Sequence, residues 1–244
     1  MKFTTASALL ALTAVAYALP AELEVIEKRA VCTSFGYTYY CAGGTTTAVA
    51  GPSTAATSTA KASSTSAPSS GGSTKYSSGA TASDIDDNTG CTALTVIFAR
   101  GTSETGNIGS IAGPPMFKQL ISDLGASKLT LQGVVYLADA VGNANCGAAG
   151  GAAMAKEVST ILGRCPSTKG VAASSIAAVV VFGDLFESQS IGSIPSSKVL
   201  ELCASGDSIC GTPSGGASGS GHTSYGSDAS TAASFIEKTA GVTK

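Results

Sequence analysis

The chain has 244 residues, a formal charge of −2 and only 12% charged residues. A protein that binds nucleic acid needs a basic stripe to meet the phosphates, so this charge balance excludes nucleic acid as an expected partner. Low charge together with abundant Ala, Gly, Ser and Thr is compatible with an extracellular protein that works near neutral polymers.

Residues 1–18 are typical of a secretory signal peptide. A positively charged start precedes an apolar run from Ala6 to Ala18, which ends in a small-x-small cleavage site. Residues 19–29 end in Lys28-Arg29 and are predicted to be a pro-segment cut by a dibasic protease, the alternative being a solvated charge pair. No later apolar stretch reaches the ~20 residues of a transmembrane helix, so we expect a secreted, extracellular protein without a membrane span.

The segment 30–42 places four aromatic residues between Cys32 and Cys41. A bridge between these cysteines would close a small loop. Its rings would then either contact a polysaccharide or the cuticle, or merely stabilise a loop that is too small to have a core, and the second interpretation is favoured.

Residues 43–90 are predicted to be a disordered linker rich in Ser, Thr, Gly and Ala. From Gly43 to Ser83 there is hardly any large apolar residue, so burial cannot offset the entropy cost of ordering the chain. Dense Ser and Thr with Pro also favour O-glycosylation.

The remaining residues, 91–244, alternate strand and helix patterns. Alternation of this kind predicts a mostly parallel sheet covered by helices. The predicted strands are Thr92–Ala99, Leu129–Tyr136 and Ile176–Gly183, and the predicted helices are Pro115–Leu124, Gly151–Cys165 and Asp228–Ala240, the last of which stops at Gly241.

Seven cysteines in an exported chain imply disulfides, and the odd count leaves at least one unpaired. Cys203 and Cys210 flank Asp207 so closely that we expect a local bridge there. A metal site is not expected, because the chain has one histidine and no Cys-x-x-Cys motif.

Three segments carry a family resemblance. They are Cys203–Cys210 around Asp207, the glycine-rich loop Gly221–Gly226 around His222, and Ala99–Gly106 after the first core strand. Together they resemble the secreted fungal cutinase and acetylxylan esterase family of small α/β-hydrolases, over residues 91–244. The resemblance implies a three-layer α/β fold and a monomer without a cofactor. It also implies a bridge between Cys91 and Cys165, which leaves Cys146 as the unpaired thiol.

The resemblance implies roles for three residues. His222, the only histidine, would act as base and then acid, since an imidazole titrates near neutrality. Asp207 would orient it and select its tautomer, and Thr102 would donate to the developing oxyanion. The alternative for His222 is a surface or satisfied core histidine, and for Asp207 an N-cap or turn aspartate in a disulfide loop. For the Thr102 segment it is a plain turn with a capping carboxylate.

The nucleophile is missing. Family members carry a strand, a Gly-x-Ser-x-Gly elbow and a helix before the Asp and the His, but here only Gly170 stands between Lys169 and Val171. The fold is therefore expected to be one strand and one helix short. Ser103, Ser188 and Ser190 are the serines considered as substitutes, and none follows a strand in an elbow.

Two functional hypotheses follow. The first is a serine esterase of cutinase type, which acts on cutin-like polyester or acetylated plant polysaccharide through an acyl-enzyme. The second is a secreted pseudoenzyme, a binding or effector protein that kept the shape and lost the nucleophile.

Overall fold

A computed structural model describes residues 32–34, 37–39, 71–144, 148–168, 176–192, 194–211 and 220–244. The strands are β1 (Cys32–Ser34), β2 (Tyr37–Tyr39), β3 (Leu94–Phe98), β4 (Leu129–Gly133), β5 (Val179–Phe182) and β6 (Val199–Leu202). The helices are α1 (Gly113–Leu124), α2 (Ala140–Ala144), α3 (Ala148–Arg164) and α4 (Ala229–Ala240). Strands β1 and β2 form a separate antiparallel hairpin.

The helix ends follow ordinary local rules. Helix α1 begins with Pro114 and Pro115 in its first turn, where the missing N–H groups have no intrahelical partner to lose. Helix α4 ends at Gly241, whose φ of +64° is the left-handed conformation that glycine adopts without strain. Both helices thus begin or end close to the predicted positions.

The core strands form two parallel pairs. Strand β3 pairs with β4 from Leu94↔Leu129 to Phe98↔Gly133, and β5 pairs with β6 from Val179↔Val199 to Phe182↔Leu202. Within the described ranges, no strand joins one pair to the other. The predicted parallel strands are therefore present, in two pairs.

Helices α1 and α4 cover one face of the strands. Phe117 of α1 and Ala232 of α4 are fully buried there, against Leu94 and Leu131 of the first strand pair. Helix α3 covers the other face of β3 through a smaller core that contains Ile161, with the partly buried Ile97 packed against it. The three layers of the predicted α/β fold are therefore present.

The two strand pairs differ in burial. Every residue of β4 is buried, whereas every residue of β5 and β6 is partly exposed. A strand in the interior of a covered parallel sheet is normally buried on both faces. The second pair is thus less completely enclosed than a parallel sheet requires.

The packed region begins before the expected boundary at residue 91. Tyr76, Ala82 and Ile85 are buried, and the 2% exposed Asp84 accepts backbone hydrogen bonds from Lys75 N–H at 2.9 Å and Leu131 N–H at 2.7 Å. Composition predicted a linker here because the apolar residues are few and widely spaced. Tyr76 and Ala82 are buried in the core under α1 and α4, and Ile85 in the smaller core beside α3, through long-range contacts that composition does not contain.

None of the described helices combines the length and the apolar character that crossing a membrane requires.

Candidate active site

Asp207 and His222 lie in two loops that follow β6. The first loop is closed by the disulfide between Cys203 and Cys210, whose Cα atoms are 5.8 Å apart. His222 lies in a 3₁₀ turn, Ser220–Thr223, and a second turn, Tyr225–Asp228, leads directly into α4. The predicted Cys203–Cys210 bridge is therefore present and closes the loop that carries Asp207.

The two side chains form a hydrogen-bonded pair. Nδ1 of His222 lies 2.9 Å from Oδ2 of Asp207. The Asp207 side chain is fully buried, whereas the His222 side chain is 34% exposed. When Nδ1–H donates to the carboxylate, Nε2 is left free to accept a proton, as a general base requires.

Asp207 is held by more than the histidine. The hydroxyl of Tyr225 donates to the same Oδ2, and the N–H of Ile209 donates to Oδ1 at 2.9 Å. Burial by itself would raise the pKa of the Asp207 carboxyl, but the hydrogen bonds from Tyr225, His222 and Ile209 outweigh it and hold the pKa below its usual value. The carboxylate therefore stays ionised beside the imidazole.

Tyr225 is the third member of this cluster. Its hydroxyl accepts a hydrogen bond from Ala204 N–H at 3.2 Å, and its ring contacts those of His222 and Phe182 with centroids 6.2 Å and 5.8 Å apart. Burial, followed by the hydrogen bond to Asp207, raises the pKa of the Tyr225 phenol to about 12. The phenol is thus a fixed donor over the whole neutral range.

Two glycines let the loops approach each other. A Cβ on Gly183, which follows β5 with φ +59°, would lie 2.8 Å from Asp207 Oδ2 and 3.0 Å from His222 Nδ1. A Cβ on Gly221 would lie 2.4 Å from the backbone nitrogen of Asp207. Contacts this short are repulsive, so the pair can form only because both positions lack a side chain.

Gly183→Ala is expected to break the His222–Asp207 hydrogen bond and to lower the unfolding free energy by about 2 to 4 kcal/mol, from backbone strain plus collision. The measurement is the Nδ1–H proton resonance of His222, which is unambiguous because the chain has one histidine. The matched control is Gly206→Ala, since Gly206 has φ +81° but open space around its Cβ position. Equal effects from both substitutions would mean that strain alone, and not the close approach, matters.

Tyr225→Phe is expected to change stability in a pH-dependent way. The folded pKa of about 12 lies above the ordinary value of 10.0, so the fold stabilises the neutral phenol. This contribution, about 3 kcal/mol for pKa values of about 12 and 10.0, is fully present below pH ~10 and is lost as pH rises through ~12. Denaturant unfolding between pH 8 and 12 should show that the difference in unfolding free energy between wild type and variant narrows. A difference that stays constant would contradict the role assigned to Tyr225.

The loop after β3 is organised around Glu104. Its carboxylate accepts backbone hydrogen bonds from Gly101 N–H at 2.8 Å, Ser110 N–H at 2.7 Å and Ile111 N–H at 2.8 Å. Gly109 packs so closely that a Cβ there would lie 2.3 Å from the carboxylate. Three backbone donors to one carboxylate therefore fix the curvature of the loop that contains Thr102.

Arg100 anchors the same loop to the segment after β4. Its guanidinium donates to the carbonyls of Glu104 and Tyr136, each at 2.9 Å, and lies 5.2 Å from the centre of the Tyr136 ring. The Tyr136 hydroxyl donates to the Arg100 carbonyl. Ser103 N–H also donates to Ala138 O at 2.7 Å. The loop is thereby tied at both ends.

Thr102 is exposed in this loop, four residues after the end of β3. A row of ring contacts leads from the end of β3 toward the histidine: Phe98 lies 6.4 Å from Phe182, which in turn contacts Tyr225. The loop with Thr102 and the Asp207–His222 pair therefore follow strand ends that meet in space, as candidate oxyanion and acid–base groups should.

The serines considered as substitutes lie in turns. Ser103 and Ser188 have φ of +64° and +68°, and both are exposed. Ser188 N–H donates to the Glu201 carboxylate at 2.8 Å, which holds the turn after β5 against β6. Ser190 is exposed in the same turn.

Only some of the cysteines for which pairing was predicted lie among the described residues. Cys91 and Cys165 form a disulfide with Cα atoms 5.5 Å apart, as the resemblance implied. Cys41 and Cys146 lie outside the described residues, so the expected bridge to Cys32 and the expected unpaired thiol stay predictions.

Sequence reasoning did not assign Tyr225, Gly183 or Glu104 to the site. A tyrosine three residues after the only histidine and a glycine directly after an apolar strand were visible signals. The role of Glu104 was harder to predict from the sequence, because its hydrogen-bond donors lie up to seven residues ahead in an irregular loop.

Comparisons with known proteins define the class. The cutinase family model matches residues 90–173 and 168–240. The chain is 44% identical over 181 residues to Cutinase 4 of Emericella nidulans, covering 67% of this chain and 78% of that protein. It is 35% identical over 174 residues to the cutinase of Botryotinia fuckeliana, covering 62% and 85%.

Solved structures agree. A Trichoderma reesei cutinase, determined with a phosphonate inhibitor, superposes with a TM-score of 0.56 at 32% identity, covering 62% of this chain and 77% of that one. A cutinase-like protein from Cryptococcus shares the fold, with a TM-score of 0.52 at 23% identity over 63% of this chain and all of that one. The chain belongs to the cutinase family, which is a family of α/β carboxylic ester hydrolases.

Proposed function

We propose that this protein is a secreted serine esterase of cutinase type whose acid–base half is built into the present chain. The observation that carries the proposal is the 2.9 Å pair of the buried Asp207 and the partly exposed His222. In the proposed reaction His222 takes the proton of a serine hydroxyl and later returns it to the leaving alcohol, while Asp207 stabilises the imidazolium.

Thr102 is proposed as an oxyanion donor. Its loop follows β3 and is fixed by Glu104, so a backbone N–H there would be preorganised toward charge that develops on the substrate. One such donor contributes roughly 10² to 10³ in rate. The expected substrates are cutin-type polyester or acetylated plant polysaccharide, and no cofactor takes part in an acyl transfer of this kind.

The nucleophile is proposed to reside in a segment that a longer form of this protein carries between Lys169 and Val171. The two family matches meet at residues 168–173, which is the same place. The Botryotinia fuckeliana alignment runs over 174 residues but uses 62% of these 244 residues, or about 151. The difference of about 20 residues fits one strand and one helix.

The second candidate is a secreted pseudoenzyme that binds the same polymers. It is favoured by the two separate strand pairs, since a chain selected for binding alone can dispense with an elbow. A family fold does not by itself establish an activity.

The test uses protein isolated from the culture medium of its natural source, with glycans removed. Intact mass is recorded, and release of fatty acids from cutin and of acetate from acetylated xylan is assayed. A mass about 20 residues above that of residues 30–244, together with ester hydrolysis, supports the esterase. The mass of residues 30–244 with neither product released favours the pseudoenzyme.

A further inference from the structure

Helices α1 and α4 run in the same direction and end side by side. The Ser230 hydroxyl of α4 donates to Oε1 of Gln119 on α1 at 3.3 Å. Further along both helices, the carboxyl of Glu237 on α4 lies within hydrogen-bond reach of the carboxyl of Asp123 on α1. The last turns of the two helices are therefore neighbours, and each of them carries an acidic residue.

This arrangement concentrates negative charge. The carbonyl end of a helix carries about half an elementary negative charge, so an ionised carboxylate in the last turn is unfavourable. Two such ends meet here, together with the partly buried side chains of Asp123 and Glu237. A second ionised carboxylate beside the first would add repulsion at short range.

Gln119 makes Asp123 the acceptor of the pair. The Nε2 amide group of Gln119 donates to both carboxylate oxygens, at 3.0 Å to Oδ1 and 2.8 Å to Oδ2. The hydrogen bond from the Ser230 hydroxyl fixes this orientation of the amide, because it occupies Oε1 and leaves Nε2 facing Asp123. A carboxylate that already accepts two hydrogen bonds is favoured as the anion.

Glu237 is the member of the pair that holds the proton. Its Oε1 atom is buried and has no hydrogen-bond partner among the described residues. Two ionised carboxylates can only accept hydrogen bonds, whereas a protonated Glu237 donates an O–H to Asp123 and avoids the burial of a second charge. Burial, followed by the charge of Asp123, accordingly raises the pKa of the Glu237 carboxyl above its ordinary value of 4.5.

Three lysines lie around the two helix ends. Lys128 donates to a backbone carbonyl of the segment after α4, and Lys244 donates to a carbonyl in the last turn of α1 at 3.5 Å. Lys238 is exposed in the last turn of α4. Within the described part of the chain, none of the three forms an ion pair with Glu237, so they do not take the place of the proton.

A cleft of about 570 Å³ lies between the two helix ends and residues 241–244, and Asp123 and Glu237 form part of its wall. We infer that one proton shared by Asp123 and Glu237 holds the C-terminal ends of α1 and α4 together, and that loss of this proton at neutral pH loosens them. Water in the cleft would then solvate the second carboxylate. The inference concerns the stability of the fold and does not depend on the proposed function.

The direction of the pH dependence follows from the raised pKa of Glu237. A group whose pKa is higher in the folded than in the unfolded chain stabilises the fold fully below its unfolded value, here about 4.5. That contribution is lost as pH rises through the folded value. The helix ends should therefore be held most firmly in mildly acidic surroundings.

Glu237→Gln is the variant that tests the inference, because its amide can donate to Asp123 at every pH. Melting temperatures of the full chain and of the variant are compared at pH 4 and pH 8. We expect the variant to melt about 2 to 4 °C above the wild type at pH 8, and at the same temperature at pH 4. A variant that is less stable at pH 8, or that is shifted equally at both pH values, would overturn the inference.

Two further variants separate the pair from general charge effects. In an Asp123→Asn background, Glu237→Gln should bring no pH-dependent gain, since the interaction between the two carboxyls is already removed. The matched control is Glu201→Gln, which removes a partly exposed carboxylate of β6 that accepts a hydrogen bond from Ser188 N–H at 2.8 Å. A gain at pH 8 from this control, as large as that from Glu237→Gln, would overturn the inference.

A measurement on the unchanged chain keeps the inference testable if a variant folds poorly. The ¹³C resonance of the Glu237 side-chain carboxyl is followed from pH 3 to pH 8. We expect a midpoint above 4.5 in the wild type and a lower midpoint in Asp123→Asn. A wild-type midpoint at or below 4.5 would show that Glu237 is ionised beside Asp123 and would overturn the inference.

Discussion

Insertion of a strand, a Gly-x-Ser-x-Gly elbow and a helix between Lys169 and Val171 is expected to raise p-nitrophenyl ester hydrolysis by at least about 10⁴-fold over the unmodified chain. The reason is that the Asp207–His222 pair, proposed as the acid–base half of a triad, is already formed. Asp207 is buried and ionised, His222 is bound to it at 2.9 Å, and the loop of Thr102 is fixed by Glu104.

The same insertion should also stabilise the fold. In the described part of the chain, β3 pairs only with β4 and β5 only with β6, so an added strand could pair with the other edge of each, and its helix would cover the partly exposed Val179 and Val181. Unpaired buried polar groups cost about 1 to 3 kcal/mol each, so we expect the melting temperature to rise by several degrees.

The matched control for the insertion is the same segment with its serine replaced by alanine. That variant should share the gain in melting temperature and lack the gain in rate. If the serine and alanine versions hydrolysed the ester equally, the acid–base pair would not serve an acyl-enzyme mechanism. A rate gain without a gain in melting temperature would instead indicate that the inserted strand does not pair with β3 and β5.

Asp207→Asn in the chain with the insertion is expected to lower kcat about 10⁴-fold while KM changes little. An asparagine can donate to Nδ1, which selects the tautomer whose Nε2 carries the proton and cannot act as base. It also leaves the Tyr225 hydroxyl beside a neutral amide, so the pKa of that phenol should fall toward its ordinary value. Rates at pH 8 and phenol titration by ultraviolet absorbance measure the two effects.

The control for this substitution is Asp87→Asn, which removes one carboxylate from an exposed turn far along the chain from the site. Its kcat should stay within twofold. A loss of similar size in both variants would indicate a general charge or folding effect. A kcat that Asp207→Asn leaves unchanged would contradict the orienting role.

Much of the fold could be predicted because its signals are local. The apolar periodicity of α1 and α4 and the β-branched runs of β3 and β5 depend on neighbouring residues only. Strand β6 was not predicted, since Val199–Leu202 is four residues long and contains Glu201. The packing of residues 71–90 was missed for a different reason, namely that Asp84 and Tyr76 find their partners through long-range contacts.

The candidate site, too, could be predicted from the sequence only in part. Asp207 and His222 stand in motifs that resemble the family, and the structure brings them together. Tyr225 and Gly183 act through close approach of β5 to two later loops, which spacing along the chain does not encode.

A serine-directed fluorophosphonate would show whether this chain holds the Asp207–His222 pair without a nucleophile. The 244-residue chain and the chain with the inserted segment are labelled side by side at neutral pH, and the adducts are located by intact mass and peptide mapping. We expect no adduct on the first chain and a single adduct on the inserted serine of the second. A stoichiometric adduct on Ser103, Ser188 or Ser190 of the unmodified chain would contradict this expectation.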